Sequence, residues 1–396
     1  MMSSFPRLLG NLWPCLILWA CTTVLAAEAP ARTSAKPPFD PKYEAQVGKE
    51  TAAEIDKEYN RVDNKQALAK LQAMAKAIGA NSSRPEVQYD LRLVKEKKPD
   101  KEPEVNAFSL PGGFIYVTEG LLKDVQSDHE LAGVLAHEIA HNVNYDGLTQ
   151  AQRANKIYKG EMAAVLATIL IGGLDSQAWT NVMQAGIYYR TGVLGGCSIS
   201  MERRADSDAV KAMAKTTYDP VGLLTFMERL AAKERRNPPI ELGIYQTHPL
   251  STDRCEQLIG EIEKVGLPIN RRKTANWDKP KVEERKLGDE KVQAVLFQGI
   301  PVFQTKAAAP GTKDAKERAA AIAKSLTDVL AAGGEAFNFS VSTVEGRPAL
   351  MAGDKPLLTV LEADEKLLGK PGDQVAQGAL SAIRAGLTKE RLGRLY

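Results

Sequence analysis

The sequence predicts an α+β fold class: a mainly helical domain carrying a small sheet, followed by a small C-terminal α/β module. Three observations lead there. Apolar residues recur at helical spacing through Val47, Ala52, Ile55 and Tyr59, through Leu68, Leu71, Met74 and Ile78, and again through Leu131, Val134 and Leu135. Short strand-like runs lie between these helices, at 87–94 and around a Pro111-Gly112-Gly113 turn. A charged, Pro-containing stretch at 265–291 then separates everything upstream from about 105 residues of hairpin, helix and strand patterns.

The 396 residues suffice for two domains and at least one large core. Hydrophobic residues at 44% and charged residues at 26% exclude a disordered chain, and a net charge of +3 gives no global case for nucleic acid as a partner. The N-terminus reads as a targeting segment: a short basic start, an apolar run and then Ala26-Ala27, which suits signal-peptide cleavage. Leu18-Trp19-Ala20-Cys21 resembles a bacterial lipobox, which makes lipidation of Cys21 the rival maturation. Both point to export to the periplasm, soluble or lipid-anchored. An uncleaved anchor is the third reading, because Leu8 to Ala27 approaches the spanning length. Outside this segment only Cys197 and Cys255 remain, and an exported chain allows them to form a disulfide or to stay as two thiols.

In chain order, residues 28–41 are rich in Ala, Pro, Ser and Lys and read as a linker. Two helices follow over 43–78, then the alternating strand 87–94 and a charged loop at 95–104. Asn106 to Leu110 reads equally as an edge strand or an internal one. The apolar run Met162–Leu174 is too short to span a bilayer and predicts a buried helix, with a lid as the alternative. Beyond the charged stretch come a hairpin at 292–305, a helix at 313–332, strands at 337–344 and 356–361, and a helix at 373–385. This module contains no histidine and no cysteine, so the chemistry lies upstream.

The chemistry centres on ELAGVLAHEIAHN at 130–142, which holds two of the chain's four histidines. Chance would place such a His-Glu-x-x-His pattern on the order of 0.003 times in this chain. Ser127 with Glu130 fits a capping box, and the apolar stripe predicts an amphipathic helix. His137 and His141, four apart, present two imidazoles on one face to a single ion, and Glu138 reaches a water bound to it. Zinc needs at least a third protein ligand. The best candidate is Glu202 in ISMERRADSDAVKAM, because helical spacing puts Glu202, Ala205, Asp206, Ala209 and Met213 on one face. Burying two carboxylates there requires partners, which a metal and a ligand histidine would supply. Asp206 then accepts a hydrogen bond from a ligand histidine. Such a His₂Glu site with an open position is a hydrolase arrangement, in which zinc brings the pKa of its water to about 7. His129 reads as solvent-facing.

These motifs, NAFSLPGGFIYVTEGLL, ELAGVLAHEIAHN, MERRAD and THPLSTDR in that order, resemble those of the zinc metallopeptidase family containing the CAAX prenyl proteases and HtpX, a gluzincin group. The resemblance spans roughly 43–267 and implies a zincin-like fold, one Zn²⁺ per chain on His137, His141 and Glu202, Glu138 as catalytic base and Asp206 as support. It implies an active-site role for His248 and Arg254, as oxyanion partners or, for Arg254, a loop anchor. The family's Ser-Arg-x-x-Glu reads Ser198-Ile199-Ser200-Met201-Glu202 here, without the arginine.

The expected organisation is a signal peptide at 1–27, a linker at 28–41, the metallopeptidase domain at 42–270, a linker at 271–289 and a C-terminal interaction module at 290–396. The expected function is an exported zinc metalloendopeptidase acting on unfolded, misfolded or membrane-associated envelope polypeptides. Their extended backbone would pair with Asn106, Ala107 and Phe108. The alternative is a periplasmic chaperone or assembly adaptor on the same scaffold, with an envelope protein as partner.

Overall fold

The computed structural model describes residues 38–97, 103–158, 194–236 and 252–394. The targeting segment with Cys21, most of the 28–41 linker, the apolar run Met162–Leu174 and His248 lie outside the described residues. Helices α1 (Pro41–Glu58) and α2 (Lys65–Gly79) flank a short strand β1 (Tyr59–Arg61), and Asn64 caps α2 by accepting from the Ala67 amide. A four-stranded mixed sheet follows, in the order β1-β2-β4-β3, from β2 (Asp90–Glu96), β3 (Ala107–Leu110) and β4 (Phe114–Thr118). Strands β2 and β4 are parallel, and the other pairs antiparallel. β2 starts at Asp90 rather than at Val87, because the Val87 amide closes a turn onto the Arg84 carbonyl. β3 lies at the sheet edge among the described residues.

After α3 (Glu119–Asp124) comes α4 (Asp128–Val143), the helix that carries the His-Glu-x-x-His motif. Ser127 Oγ accepts from the Glu130 amide, as a capping box requires. The return bond is displaced by one residue, since the Glu130 carboxylate accepts from the Gln126 amide at 2.8 Å. Every residue from Glu130 to Val143 is buried, which corrects the amphipathic expectation. α4 is enclosed by α2, by β3 and by two later helices, α6 (Leu194–Met213) and α7 (Val221–Arg236). The enclosure depends on close backbone approach: a Cβ at Gly133 would sit 2.7 Å from Leu223 Cα, and one at Gly222 would sit 2.2 Å from the His129 carbonyl carbon. His129 is half-buried, accepts from the Asp219 amide at 3.0 Å and meets Tyr218 edge-on, so it does not face solvent as expected.

α5 (Asp146–Tyr158) leaves α4 after a two-residue turn, and α8 (Thr252–Lys264) packs on α6 and α7. The segment expected as a linker over 271–289 holds structure instead. A short helix α9 (Arg271–Thr274) is followed by β5 (Lys281–Leu287), which pairs with β6 (Glu290–Phe297) from Lys281↔Leu296 to Leu287↔Glu290. β5 is an edge strand held by backbone hydrogen bonds, with no fully buried side chain, so its charged sequence carries no apolar alternation to read. β7 (Ile300–Thr305) completes this sheet, and β8 (Phe339–Val344), β9 (Arg347–Ala352) and β10 (Lys355–Thr359) form a second. Helices α10 (Ala315–Ala331), α11 (Glu362–Leu368) and α12 (Gly372–Arg394) close the module over Phe297, Leu326, Phe339, Leu350 and Ile383. No helix among the described residues is long and apolar enough to cross a membrane.

α9 joins the two parts. Arg271 pairs with Glu228 of α7 at 2.7 Å. Arg272, buried, pairs with the equally buried Glu390 of α12 at 2.6 Å and donates to the carbonyls of Leu330 and Gly334. Removing one member of a buried pair leaves its partner uncompensated. Arg272→Ala is therefore expected to destabilise the protein by about 3–5 kcal/mol in denaturant unfolding, while the double exchange Arg272→Met with Glu390→Leu recovers most of the loss. Gly133→Ala is expected to cost about 1–3 kcal/mol in the same measurement, because the new methyl meets backbone rather than a movable side chain.

Candidate metal centre

α4 and α6 bring three donors to one point. His137 and His141 stand one turn apart on α4 with their ring planes perpendicular, and Glu202 reaches in from α6. His137 Nε2 lies 3.0 Å from His141 Nε2, and each lies 3.2 Å from a Glu202 carboxylate oxygen. Among the described residues these three form a group able to hold a metal ion. A tetrahedral zinc with bonds near 2.0–2.1 Å sets its ligand atoms about 3.3 Å apart, which matches this spacing.

The surrounding polar groups say what belongs at that point. His137 Nδ1 lies 2.9 Å from Asp206 Oδ1, and His141 Nδ1 lies 2.9 Å from Asp146 Oδ2. With the proton on each Nδ1 directed at its carboxylate, both Nε2 lone pairs converge on the Glu202 carboxylate. Lone pairs and a carboxylate facing one another in a buried site need a cation between them. Charge agrees: Glu202 and Asp206 meet the Arg254 guanidinium and Asp146 meets that of Arg204, so with buried Glu138 the four carboxylates exceed the two guanidiniums by two, the charge of a divalent ion. The residues present fit zinc in donor type, spacing and charge.

Arg254, expected at the oxyanion or as a loop anchor, packs against the metal cluster. It is almost fully buried, and its guanidinium donates to Glu202 Oε2 at 2.8 Å and to both Asp206 oxygens at 2.8 and 2.9 Å. It thus holds the third ligand and the His137 partner together. Burial works against the charge of Asp206, but Arg254 and His137 outweigh it and hold its pKa below the ordinary value. The α6 face expected from spacing is the one observed: Glu202, Ala205, Asp206, Ala209 and Met213 are buried, while Arg203 and Lys211 are exposed. Glu138, 1% exposed, lies on the same buried helix. Asn106, Ala107 and Phe108 are buried at the start of β3, and Asn142 of α4 donates to the Leu110 carbonyl at its end. Cys255 is a free thiol packed in the core with Leu258 and Ile262, and burial pushes its pKa up to about 12. The Cys197 side chain, the other half of the expected disulfide alternative, is outside the described residues.

The sequence reading misses Asp146 and Arg204. On a continuous helix a residue five after His141 would point away from it, so spacing gives no signal for Asp146. For His141, burial lowers the pKa, but Glu202 and Asp146 more than offset it and raise it well above the ordinary 6.5. A proton on His141 therefore competes with the metal for Nε2. In the metal-free protein its contribution to stability is present below the unfolded histidine value and is lost as pH rises through the raised one. Zinc affinity, measured by competition at about pH 6 and about pH 8, is expected to tighten with pH and to release protons; a pH-independent affinity would contradict this.

A family model described as Peptidase family M48 matches residues 64–262, and one described as Domain of unknown function (DUF8459) matches residues 294–390. Among curated proteins, the chain is similar to the mitochondrial metalloendopeptidase OMA1 of Schizosaccharomyces pombe, with 29% identity over 46% of this chain and 49% of that one. It is similar to the beta-barrel assembly-enhancing protease of Escherichia coli K12, with 30% identity over 41% of this chain and 35% of that one. Metalloprotease YcaL of the same strain is 26% identical over 54% of this chain and 77% of its own length. The match to OMA1 thus spans about half of that relative, and the match to the assembly-enhancing protease about a third. The family match runs from the cap of α2 through most of α8, across half of the chain and around every residue of the metal cluster, and the chain belongs to peptidase family M48.

Proposed function

We propose that the chain is an exported, zinc-dependent metalloendopeptidase that hydrolyses peptide bonds in extended, unfolded or misfolded envelope polypeptides. The observation that carries this reading is Glu138, a buried carboxylate on the very turn that presents His137 and His141 to Glu202. Bound there, zinc supplies Lewis acidity and brings a water to near-neutral pKa. Glu138 takes the proton from the attacking water on its carboxylate and passes it to the leaving amine. Asp206 holds the His137 tautomer through Nδ1, and Arg254 holds Asp206 and Glu202 in register. His248, four residues before α8 in the sequence, would serve the oxyanion.

Several features support polypeptide as substrate. Among the described residues β3 lies at the sheet edge and is tied to α4 through Asn142, so an extended backbone pairing along Asn106 to Phe108 would run beside the helix that bears Glu138. Such pairing reads main chain and tolerates many side chains. The curated relatives carry protease names, one of them for enhancing β-barrel assembly, consistent with action on envelope proteins. On this reading 1–27 is the export signal, with Cys21 its lipidation alternative, 42–270 is the catalytic part, and 290–396 engages an envelope partner.

In purified protein, Glu138→Gln is expected to lower casein cleavage by about 10²-fold or more while zinc stays bound. Unchanged cleavage would sink the peptidase reading. A cellular phenotype fully rescued by the same variant would transfer the function to the chaperone or adaptor alternative.

A further inference from the structure

We propose that Asp146 is a positioning residue for the metal centre, fixing His141 as Asp206 fixes His137, and that the turn at Tyr145 exists to place it. The inference rests on the metal-centre reading of His137, His141 and Glu202. Asp146 is 2% exposed, and its Oδ2 lies 2.9 Å from His141 Nδ1. Its other oxygen accepts from Arg204, which follows Glu202 by two residues on α6. Each ligand histidine is therefore backed by its own carboxylate–guanidinium pair: Asp206 with Arg254 behind His137, and Asp146 with Arg204 behind His141. A carboxylate on Nδ1 fixes the tautomer, orients the ring and makes Nε2 a stronger donor.

The backbone supplies the second observation. Tyr145 has φ 56, a left-handed conformation that is an outlier for a bulky residue. It ends α4 and starts α5 in one step: the Tyr145 amide donates to Asn142 O, and Tyr145 O accepts from the Thr149 amide. This reversal returns Asp146 beneath His141, where a continuing helix would carry it away. The turn is held from outside the cluster. Arg84 stacks on the Tyr145 ring with its guanidinium carbon 4.1 Å from the centroid and donates to Asn142 O at 3.3 Å. Buried Glu44 of α1 grips Arg84 at 2.8 and 3.1 Å. A conformation so unfavourable persists only where its surroundings impose it, and here Arg84 and, behind it, Glu44 of α1 do so.

The test is zinc retention, read by chelator-driven release from the full chain, with the absorption spectrum of the Co²⁺-substituted protein as a probe of ligand geometry. Asp146→Ala is expected to release zinc about 10–100-fold faster than wild type and to alter the Co²⁺ bands. Asp146→Asn keeps an acceptor for Nδ1–H but not its charge, so it is expected to fall between the two and to retain a tetrahedral spectrum. If Asp146→Ala does not fold, the isosteric Asp146→Asn carries the test by itself, and its release rate must still exceed that of wild type. Release within about twofold of wild type in both variants, with only the metal-free unfolding midpoint lowered, would overturn the proposal and leave Asp146 a helix-start residue. A wild-type chain that takes up no zinc would overturn the metal-centre reading itself, an outcome distinct from the first.

Discussion

Burying charge on one helix is the constraint that organises this protein. α4 is enclosed on all sides yet carries Glu130, His137, Glu138 and His141, and its neighbours add Glu202, Asp206 and Asp146. Such groups are tolerated inside a protein only when paired or bound to a metal. Most of the surrounding architecture answers that demand. α6 brings the third donor and one carboxylate, α8 brings Arg254 to pair with both, and the α4–α5 turn brings the other carboxylate. At the opposite end of α4, Arg229 of α7 pairs with the fully buried Glu130, which also completes the helix cap. The apolar packing serves the same end: glycines at 133 and 222 let α4 and α7 approach closely enough to exclude water from the whole helix.

The C-terminal module is bonded to the peptidase part rather than trailing from it. α9 is only four residues long, but Arg271 reaches α7, Arg272 reaches α12, and the Thr274 carbonyl accepts from Ser127 Oγ, the cap of α4. Asn276 and Gln126 add a further hydrogen bond between the same two segments. The start of the metal-binding helix and the module thus share one set of polar contacts, which makes the module part of the environment in which α4 is held.

Legibility in the sequence followed how local each determinant is. The cap at Ser127, the two-histidine face of α4 and the Glu202–Asp206 face of α6 are set by spacing within one helix, and spacing is visible in a linear string. The 292–305 hairpin and the long helices of the module were readable for the same reason. What escaped were features whose partner lies far along the chain or whose backbone breaks the regular period. β5 has no apolar alternation because it is an edge strand, and β9 is a short Pro-containing run whose pairing partners define it. Asp146 is invisible because one left-handed residue changes where it points. Arg254 carried a recognisable motif but not its destination.

By itself, then, the sequence determined which side chains share a helix face, where those helices begin, and that a His₂Glu donor set is available, because helical periodicity and capping act over a few residues. Tertiary structure alone decided that α4 is buried on every side, that each histidine has its own carboxylate, and that Arg254 bridges Glu202 to Asp206. Those outcomes depend on which surfaces are brought together and desolvated. Desolvation makes a charge either intolerable or strongly bound, and it exists only once the chain has folded.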